Sequence, residues 1–305
     1  MSSRVAILDL GTNTFHLLIA DIKEEGKPVV VYRETIAVRL GEGGISKGHL
    51  SNEAFGRGIK AITTFKERID QYQVTAVKSA ATSAIRSASN GAEFIEKIKA
   101  ETGLDLEIID GKREAELIYL GVRAAVNMEH VSLIVDIGGG SVEFIICDKN
   151  KIFWKKSYPI GAARMMDRFH HTDPISDTEV VKLNNYLDST LTDLQNQLDC
   201  YQPDLMIGSA GAFETFAELQ GSQFTASFEK PEQRIDLERF SHISNLIIKS
   251  THAEREQIPE ITPVRVDMIV VSTILTNYVL NRSRIKVLKL SSYSLKEGVL
   301  FEMLK

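Results

Sequence analysis

The chain has little with which to staple itself, cross a membrane or coat a polyanion. Of its 305 residues two are cysteines, Cys147 in a strand-like apolar run and Cys200 at the end of a helical pattern, and they fit neither a disulfide framework nor a zinc spacing. Reduced thiols and a cytoplasmic location are the expectation. The longest apolar stretch, VDMIVVSTILTNYVL from Val266, carries Asp267, Thr273, Thr276 and Asn277; it falls short of a membrane span and predicts a buried core helix. The apolar run behind Arg4 stops after about six residues, too short for a secretory signal. A basic excess is also missing: the net charge is −5 and the pI about 5.9, which argues against a general nucleic-acid or membrane-surface binder. An anionic substrate would therefore need local attraction. There is no low-complexity segment and no Gly/Ser linker, so a domain boundary has to be sought in internal repetition.

What is present is ordinary globular composition, 43% hydrophobic and 25% charged, in a chain long enough for two domains with separate cores. Its clearest feature is a repeat. Asp9-Leu10-Gly11-Thr12-Asn13-Thr14 and Asp136-Ile137-Gly138-Gly139-Gly140-Ser141 lie 127 residues apart, each between two apolar runs. The flanks align without a gap, AILDLGTNTFHLLIAD on LIVDIGGGSVEFIICD, with Ile7/Ile134, Asp9/Asp136, Gly11/Gly138, Ile19/Ile146 and Asp21/Asp148 identical. In each copy a buried strand delivers an acid to a turn, where glycine allows positive φ and close backbone approach, so that successive N–H groups can converge on an anion. Thr12, Thr14 and Ser141 add hydroxyl donors. Either turn taken singly reads equally as a tight hairpin. In-register repetition of acid, glycine and hydroxyl points instead to a pair of phosphate nests, and carboxylates beside such nests suit Mg²⁺ or another divalent cation.

The periodicity predicts two units of like plan. The first has strands at 5–10, 15–22 and about 28–38, and a helix behind Ser51 with Phe55, Ile59, Ile62, Phe65 and Ile69 at helical spacing. It continues with a strand at 74–79, a helix from about 91 to Gly103, the strand LEIID at 106–110 and the helix KREAELIYLGVRAAV, in the order βββαβαβα. The second repeats it with strands at 132–137, 142–147 and 152–158, one long helix at about 177–199 behind Ser176 and the strand DLMIG. Helices near 212–220, 236–250 and 264–281, the strand KVLKL and the terminal helix SLKEGVLFEML complete it. Two such units predict an interdomain cleft, a preferred place for small-molecule sites, with the boundary near residue 125.

Five segments, AILDLGTNTFHLLIA, VRLGEGGISKGHLS, AATSAIRSASN, IIDGKREAELIYLGV and LIVDIGGGSVEFII, together resemble the exopolyphosphatase and guanosine pentaphosphate phosphatase (Ppx/GppA) family. IGAARMMDRF at 160–169 and LKEGVLFEML match more weakly, and the whole covers nearly all of the chain in the manner of the short, two-domain type. The turns alone indicate the broad superfamily, whereas ATSAIR and the G-x-x-E-A-x-L-I-Y block are specific to this family. The resemblance implies an α/β protein with a duplicated ribonuclease H-like (actin, heat-shock 70, sugar kinase) fold. An N-terminal domain of residues 1–124 plus 296–305 would carry the first phosphate loop, and a C-terminal domain of 125–295 the second.

It further implies a Mg²⁺-assisted phosphohydrolase removing the terminal phosphate of inorganic polyphosphate, of guanosine pentaphosphate, or of both, the latter within the stringent response. Glu114 corresponds to the family's catalytic acid, and from the residues alone is a carboxylate in the first turn of a helix. Arg86 resembles a family arginine that points at phosphate, the alternative being an ordinary surface ion pair. Asp136 and Glu143 occupy positions the family uses near the metal, and Asp9 is the equivalent acid of the first turn. Gly11, Thr12, Asn13, Thr14, Gly138, Gly139, Gly140 and Ser141 would hold phosphate. His16, where many members carry arginine, would bond phosphate or lie against its own strand. Gly208 and Ser209 belong to a third glycine turn that departs from the family's G-x-S-G-T, with Ala210 and Ala212 at the Ser and Thr positions. Arg113 replaces the first acid of a Glu pair, and Tyr293 stands where glycine is usual. His170 and His171 have no third ligand suitably spaced for a metal. Family members commonly pair, which implies a homodimer; neither nucleic acid nor membrane is expected as a partner. Two other readings stay open: a non-catalytic sensor of a guanosine alarmone, and an ATP-dependent kinase of the same fold.

Overall fold

The computed structural model describes residues 3–23, 28–221 and 230–304. It divides into two compact units, Met1–Gly121 with Leu295–Lys305, and Val122–Ser294.

Unit 1 opens with β1 (Ser3–Leu10), β2 (Thr14–Ile22) and β3 (Pro28–Ala37), followed by a single 3₁₀ turn at Ile45–Lys47. Then come α1 (Asn52–Gln71), β4 (Ala76–Ala81), α2 (Ser83–Ser87), α3 (Gly91–Thr102) and α4 (Gly111–Ala125), the last crossing into unit 2. The sheet order is β3-β2-β1-β4, with β1/β2 antiparallel and β1/β4 parallel. Leu8, Leu10, Phe15, Leu17 and Ile19 form its core with Ile62, Phe65 and Ile69 of α1 and Phe94 and Ile98 of α3. Ser51 caps α1 as its sequence suggests, its hydroxyl accepting the Ala54 N–H at 3.3 Å. The buried stripe is rotated from the expected one: Ala54, Gly58 and Ala61 face inward while Phe55 and Ile59 are half-buried. Gly58 explains the rotation, since a Cβ there would lie 2.5 Å from the Phe94 ring. LEIID is not a strand. The Ser79 hydroxyl accepts the Glu107 N–H at 2.8 Å, displacing a ladder bond, and only the isolated bridge Ala81↔Ile108 remains.

Unit 2 begins with β5 (Ser132–Ile137), β6 (Val142–Cys147) and β7 (Ile152–Tyr158), at the expected bounds. α5 (Ala162–Phe169), α6 (Asp177–Thr190), α7 (Thr192–Tyr201), β8 (Leu205–Ser209), α8 (Gly211–Glu218), β9 (Glu232–Ile235), α9 (Leu237–Lys249), α10 (His252–Glu256), α11 (Met268–Asn281) and β10 (Val287–Ser291) follow. The sheet order is β7-β6-β5-β8-β10-β9, whose first four strands repeat the order and directions of unit 1. This is the duplicated ribonuclease H-like fold that the resemblance implies. The expected helix over 177–199 is two helices, because Leu191 is anchored in the core and the Thr192 hydroxyl bonds back to the Asp188 carbonyl. α2, α5, α10 and β9 were not legible in the periodicity: each has eight residues or fewer. α11 is the apolar core helix, buried at ten positions. Among the described residues no helix is long and apolar enough to cross a membrane. Both cysteines are free; Cys147 is buried, which pushes its thiol pKa up, and Cys200 is exposed.

The last helix, α12 (Leu295–Glu302), returns to unit 1. It packs on β1 and on α4, where a Cβ at Gly298 would stand 1.8 Å from the Leu117 carbonyl oxygen. Arg113, the departure from the family's acidic pair, reaches Glu302 of α12 and ties the two helices together.

Candidate active site

The two turns are the same object built twice. In each the first glycine donates its N–H to the residue three later, Gly11 to the Thr14 carbonyl at 3.1 Å and Gly138 to that of Ser141 at 3.0 Å. A Cβ at Gly11 would lie 2.9 Å from Thr14 O, and one at Gly138 3.0 Å from Ser141 O. Of the two freedoms glycine allows, positive φ is not used: none of Gly11, Gly138, Gly139 and Gly140 has it. At Gly11 and Gly138 it is close backbone approach, not a left-handed conformation, that favours glycine.

The carbonyls of each turn are drawn to one side. In unit 2 Gly138 O accepts from Ala162 N and Gly139 O from Ala163 N, both at 2.9 Å, and Gly140 O accepts from Arg164 Nε at 3.0 Å. Ala162 and Ala163 open α5, whose first N–H groups have no partner within the helix, so the turn satisfies them. A trans peptide points its C=O and the next N–H in opposite directions. Fixing three successive carbonyls against α5 therefore turns the N–H groups of Gly139, Gly140 and Ser141 to the other side, as an anion nest needs. The approach is close enough that a Cβ on Gly161 would fall 2.4 Å from Gly139. In unit 1 the segment 38–41 plays the part of α5: Thr12 O accepts from Gly41 N at 3.2 Å, and Asn13 O from Val38 N at 2.9 Å and Arg39 N at 2.8 Å.

Two acids of unit 2 meet across the hairpin. Asp136 on β5 is directly opposite Glu143 on β6, and both are buried, Glu143 to 1% exposure. Like charges so placed repel. Hydroxyl donors offset part of the cost: Ser209 at 2.5 Å and Ser294 at 3.0 Å bond Asp136 Oδ2, and Ser157 bonds Glu143 Oε1 at 2.6 Å. This donor set fits Mg²⁺, which takes one or two carboxylates and completes its shell with water and phosphate oxygens. No group of three or more His, Cys, Asp or Glu side chains among the described residues forms a metal cage. Asp9 differs from its counterpart, since the residue opposite it in unit 1 is His16. His16 lies along the sheet, its two ring nitrogens 3.0 Å from Thr14 Oγ1 and 2.9 Å from Thr35 Oγ1.

Glu114 and Arg86 are brought together in unit 1. Asp110 caps α4 by accepting the Arg113 N–H at 2.7 Å, which sets Glu114 in the first turn, where the helix dipole favours an acid. Glu114 is 6% exposed, and its Oε2 accepts from Arg86 Nη1 at 2.9 Å. The same nitrogen reaches the Ile109 carbonyl at 2.9 Å. Thr82, at the start of α2, bonds the Leu10 carbonyl through both its N–H and its hydroxyl, so the pair lies at the end of the sheet from which the first turn leaves. The sequence offered Arg86 either as a phosphate ligand or as a member of an ordinary ion pair; in the structure its Nη1 holds the Glu114 carboxylate.

The third turn has structural ties of its own. Ser209 is fully buried and its hydroxyl donates to Asp136, so it positions that acid. Gly208 serves packing: a Cβ there would fall 2.0 Å from the Phe213 ring. Arg265 covers the start of α8, with its Nε 2.5 Å from a Cβ built on Gly211 and its Nη2 on Glu214 at 2.5 Å. Ser157, Ser294, Gly161 and Arg164 were not singled out from sequence, although Gly161 and Arg164 lie within the matched IGAARMMDRF.

Fold and turns define a duplicated ribonuclease H-like protein with paired acidic glycine hairpins. The chain belongs to the Ppx/GppA phosphatase family, whose pattern matches residues 18–305. It is similar to Exopolyphosphatase 1 of Mycobacterium leprae, 26% identical over 303 residues covering 99% of this chain and 89% of the relative. A putative exopolyphosphatase of Haemophilus influenzae is 28% identical over 99% of this chain and 91% of its own length. Among solved structures, an exopolyphosphatase from Cytophaga hutchinsonii is 42% identical with a TM-score of 0.96, over 99% of this chain and 98% of that one. The Aquifex aeolicus family member is 27% identical with a TM-score of 0.83, over 100% and 98%.

Proposed function

We propose that this chain is a cytoplasmic phosphohydrolase that releases the terminal phosphate of inorganic polyphosphate, with guanosine pentaphosphate, which ends in the same kind of anhydride, as a second substrate. The observation that carries the reading is the fixing of the Gly138–Gly140 carbonyls against α5, which turns successive amides toward one side as a phosphate nest requires. Relatives and a solved structure named as exopolyphosphatases, matched over nearly the whole chain, support polyphosphate as the substrate.

In this reading Glu114 orients the attacking water and accepts its proton, and Arg86 keeps the carboxylate in one rotamer. The amides after Gly138 bind non-bridging oxygens without needing to reorganise as charge spreads over them. Asp136 and Glu143, held by Ser209, Ser294 and Ser157, would hold a divalent cation. A cation held there would supply neutralisation of the phosphate charge. The kinase reading loses support from the third turn, where Ala210 and Ala212 offer no hydroxyl and Arg265 covers the start of α8. A homodimer belongs to the same proposal.

The test measures phosphate release from long-chain polyphosphate and from guanosine pentaphosphate, with Mg²⁺ and with chelator, for the wild-type protein and Glu114→Gln. The variant keeps the Arg86 contact through its amide oxygen and is expected to lose about 10²-fold or more in turnover with binding retained. Retention of more than about a tenth of the wild-type rate, far above that expectation, removes Glu114 from its role. Tight binding of pentaphosphate by a wild-type protein that releases no phosphate would replace the hydrolase with a sensor.

A further inference from the structure

We infer that Arg164 is a positioning residue for phosphate binding, acting through the Gly140 carbonyl to aim the Ser141 amide. The inference rests on the proposed anion-binding role of the second turn and goes beyond it by assigning a residue from outside the turn. The α5 backbone holds only two of the three carbonyls: Ala162 N takes Gly138 O and Ala163 N takes Gly139 O. The third carbonyl, that of Gly140, is taken by the Arg164 side chain through Nε at 3.0 Å. Ser141 N–H belongs to the same planar peptide as Gly140 O, so a swing of that carbonyl carries the amide with it. With glycine on the N-terminal side of that peptide, the backbone resists such a swing weakly. In unit 1 two backbone donors, Val38 N and Arg39 N, hold the corresponding Asn13 carbonyl. Arg164 thus replaces with a side chain what the first turn achieves with main chain, so a change of side chain alone removes the donor in the second turn.

Glutamine and methionine separate the hydrogen bond from the charge. Gln places an N–H donor at the same number of bonds from Cα as Arg Nε; Met is of similar length and has no donor, and neither is charged. For release of phosphate from polyphosphate, Arg164→Met is expected to raise KM roughly five- to tenfold, the worth of one hydrogen bond, with kcat changed little. Arg164→Gln is expected to stay close to the wild-type KM. A second readout follows the backbone amide resonances of Gly139, Gly140 and Ser141 during titration with inorganic tripolyphosphate. The Ser141 response is expected in wild type and Arg164→Gln and weakened in Arg164→Met. Equal KM values for wild type and Arg164→Met, or equal losses in Gln and Met, overturn the inference; so does the same amide response in all three proteins, or none in any. If the wild-type protein releases no phosphate, the proposed activity falls, and the amide titration alone still decides the role of Arg164.

Discussion

Ala210 is the residue that departs furthest from what its side chain allows. It holds φ 69° and ψ 177° just before α8, a region occupied essentially by glycine alone, where the Cβ costs about 1–3 kcal/mol. Its flanking glycines are fixed by packing, Gly208 under Phe213 and Gly211 under Arg265, so the peptide cannot relax by shifting along the chain. Ala210→Gly is expected to stabilise the protein by roughly 1 kcal/mol, the relieved strain being partly offset by the added freedom of the unfolded chain. Denaturant midpoints of the two proteins check it, and a destabilised variant would show that the position carries no strain. Residue identity was readable here in a limited sense. GSAGA revealed a glycine turn, while the burial of the Ser209 hydroxyl against Asp136 depends on a parallel pairing of β5 with β8 across 73 positions of sequence.

At the scale of elements, termini do the positioning. The start of α5 fixes the carbonyls of a glycine hairpin, and the first turn of α4 carries Glu114. A third terminus ties together α10, α11 and the loop before α6. His252, the first residue of α10, donates its N–H to Asp173 at 2.8 and 2.9 Å, and its ring meets Asp267 at 2.6 Å and Glu256 at 3.2 Å. The hydrogen bond to Asp267 raises the His252 pKa above its ordinary value of about 6.5. The charged ring is the form these acids stabilise, so the contribution is complete below about pH 6.5 and is lost as pH rises through the raised value. An NMR titration of the His252 ring is expected to show a midpoint above 6.5, and His252→Asn to flatten the thermal midpoint between pH 6 and 8. A ring midpoint at or below 6.5 would contradict the Asp267 tie. In the first turn of α6, burial opposes ionisation of Glu179, but hydrogen bonds from Thr172, Ser176 and His171 lower its pKa to about 2.

At the scale of the whole molecule, unit 1 is made of two stretches of chain, with α12 supplied from the far end. Gly298 sets α12 against the α4 backbone, where carbonyl oxygens cannot move aside as a flexible side chain would. A fragment of residues 3–121 is expected to lack a cooperative thermal transition, and the same fragment joined through a short linker to 295–304 to regain one. Circular dichroism melts distinguish them, and equal transitions would make α12 an accessory. Sequence alone determined the duplication, because acid, glycine and hydroxyl recur at one offset and an apolar run flanks each turn on both sides. It also determined most long elements and the family, since ATSAIR and the block around Glu114 are local strings. Tertiary structure decided the rest: that LEIID shrinks to a bridge, that Arg86 grips Glu114, that Ser294 and Ser209 converge on Asp136, and that Arg164 clamps Gly140. Each of these depends on which distant group fills a hydrogen bond, and local patterns encode which face a residue presents but not which partner arrives there.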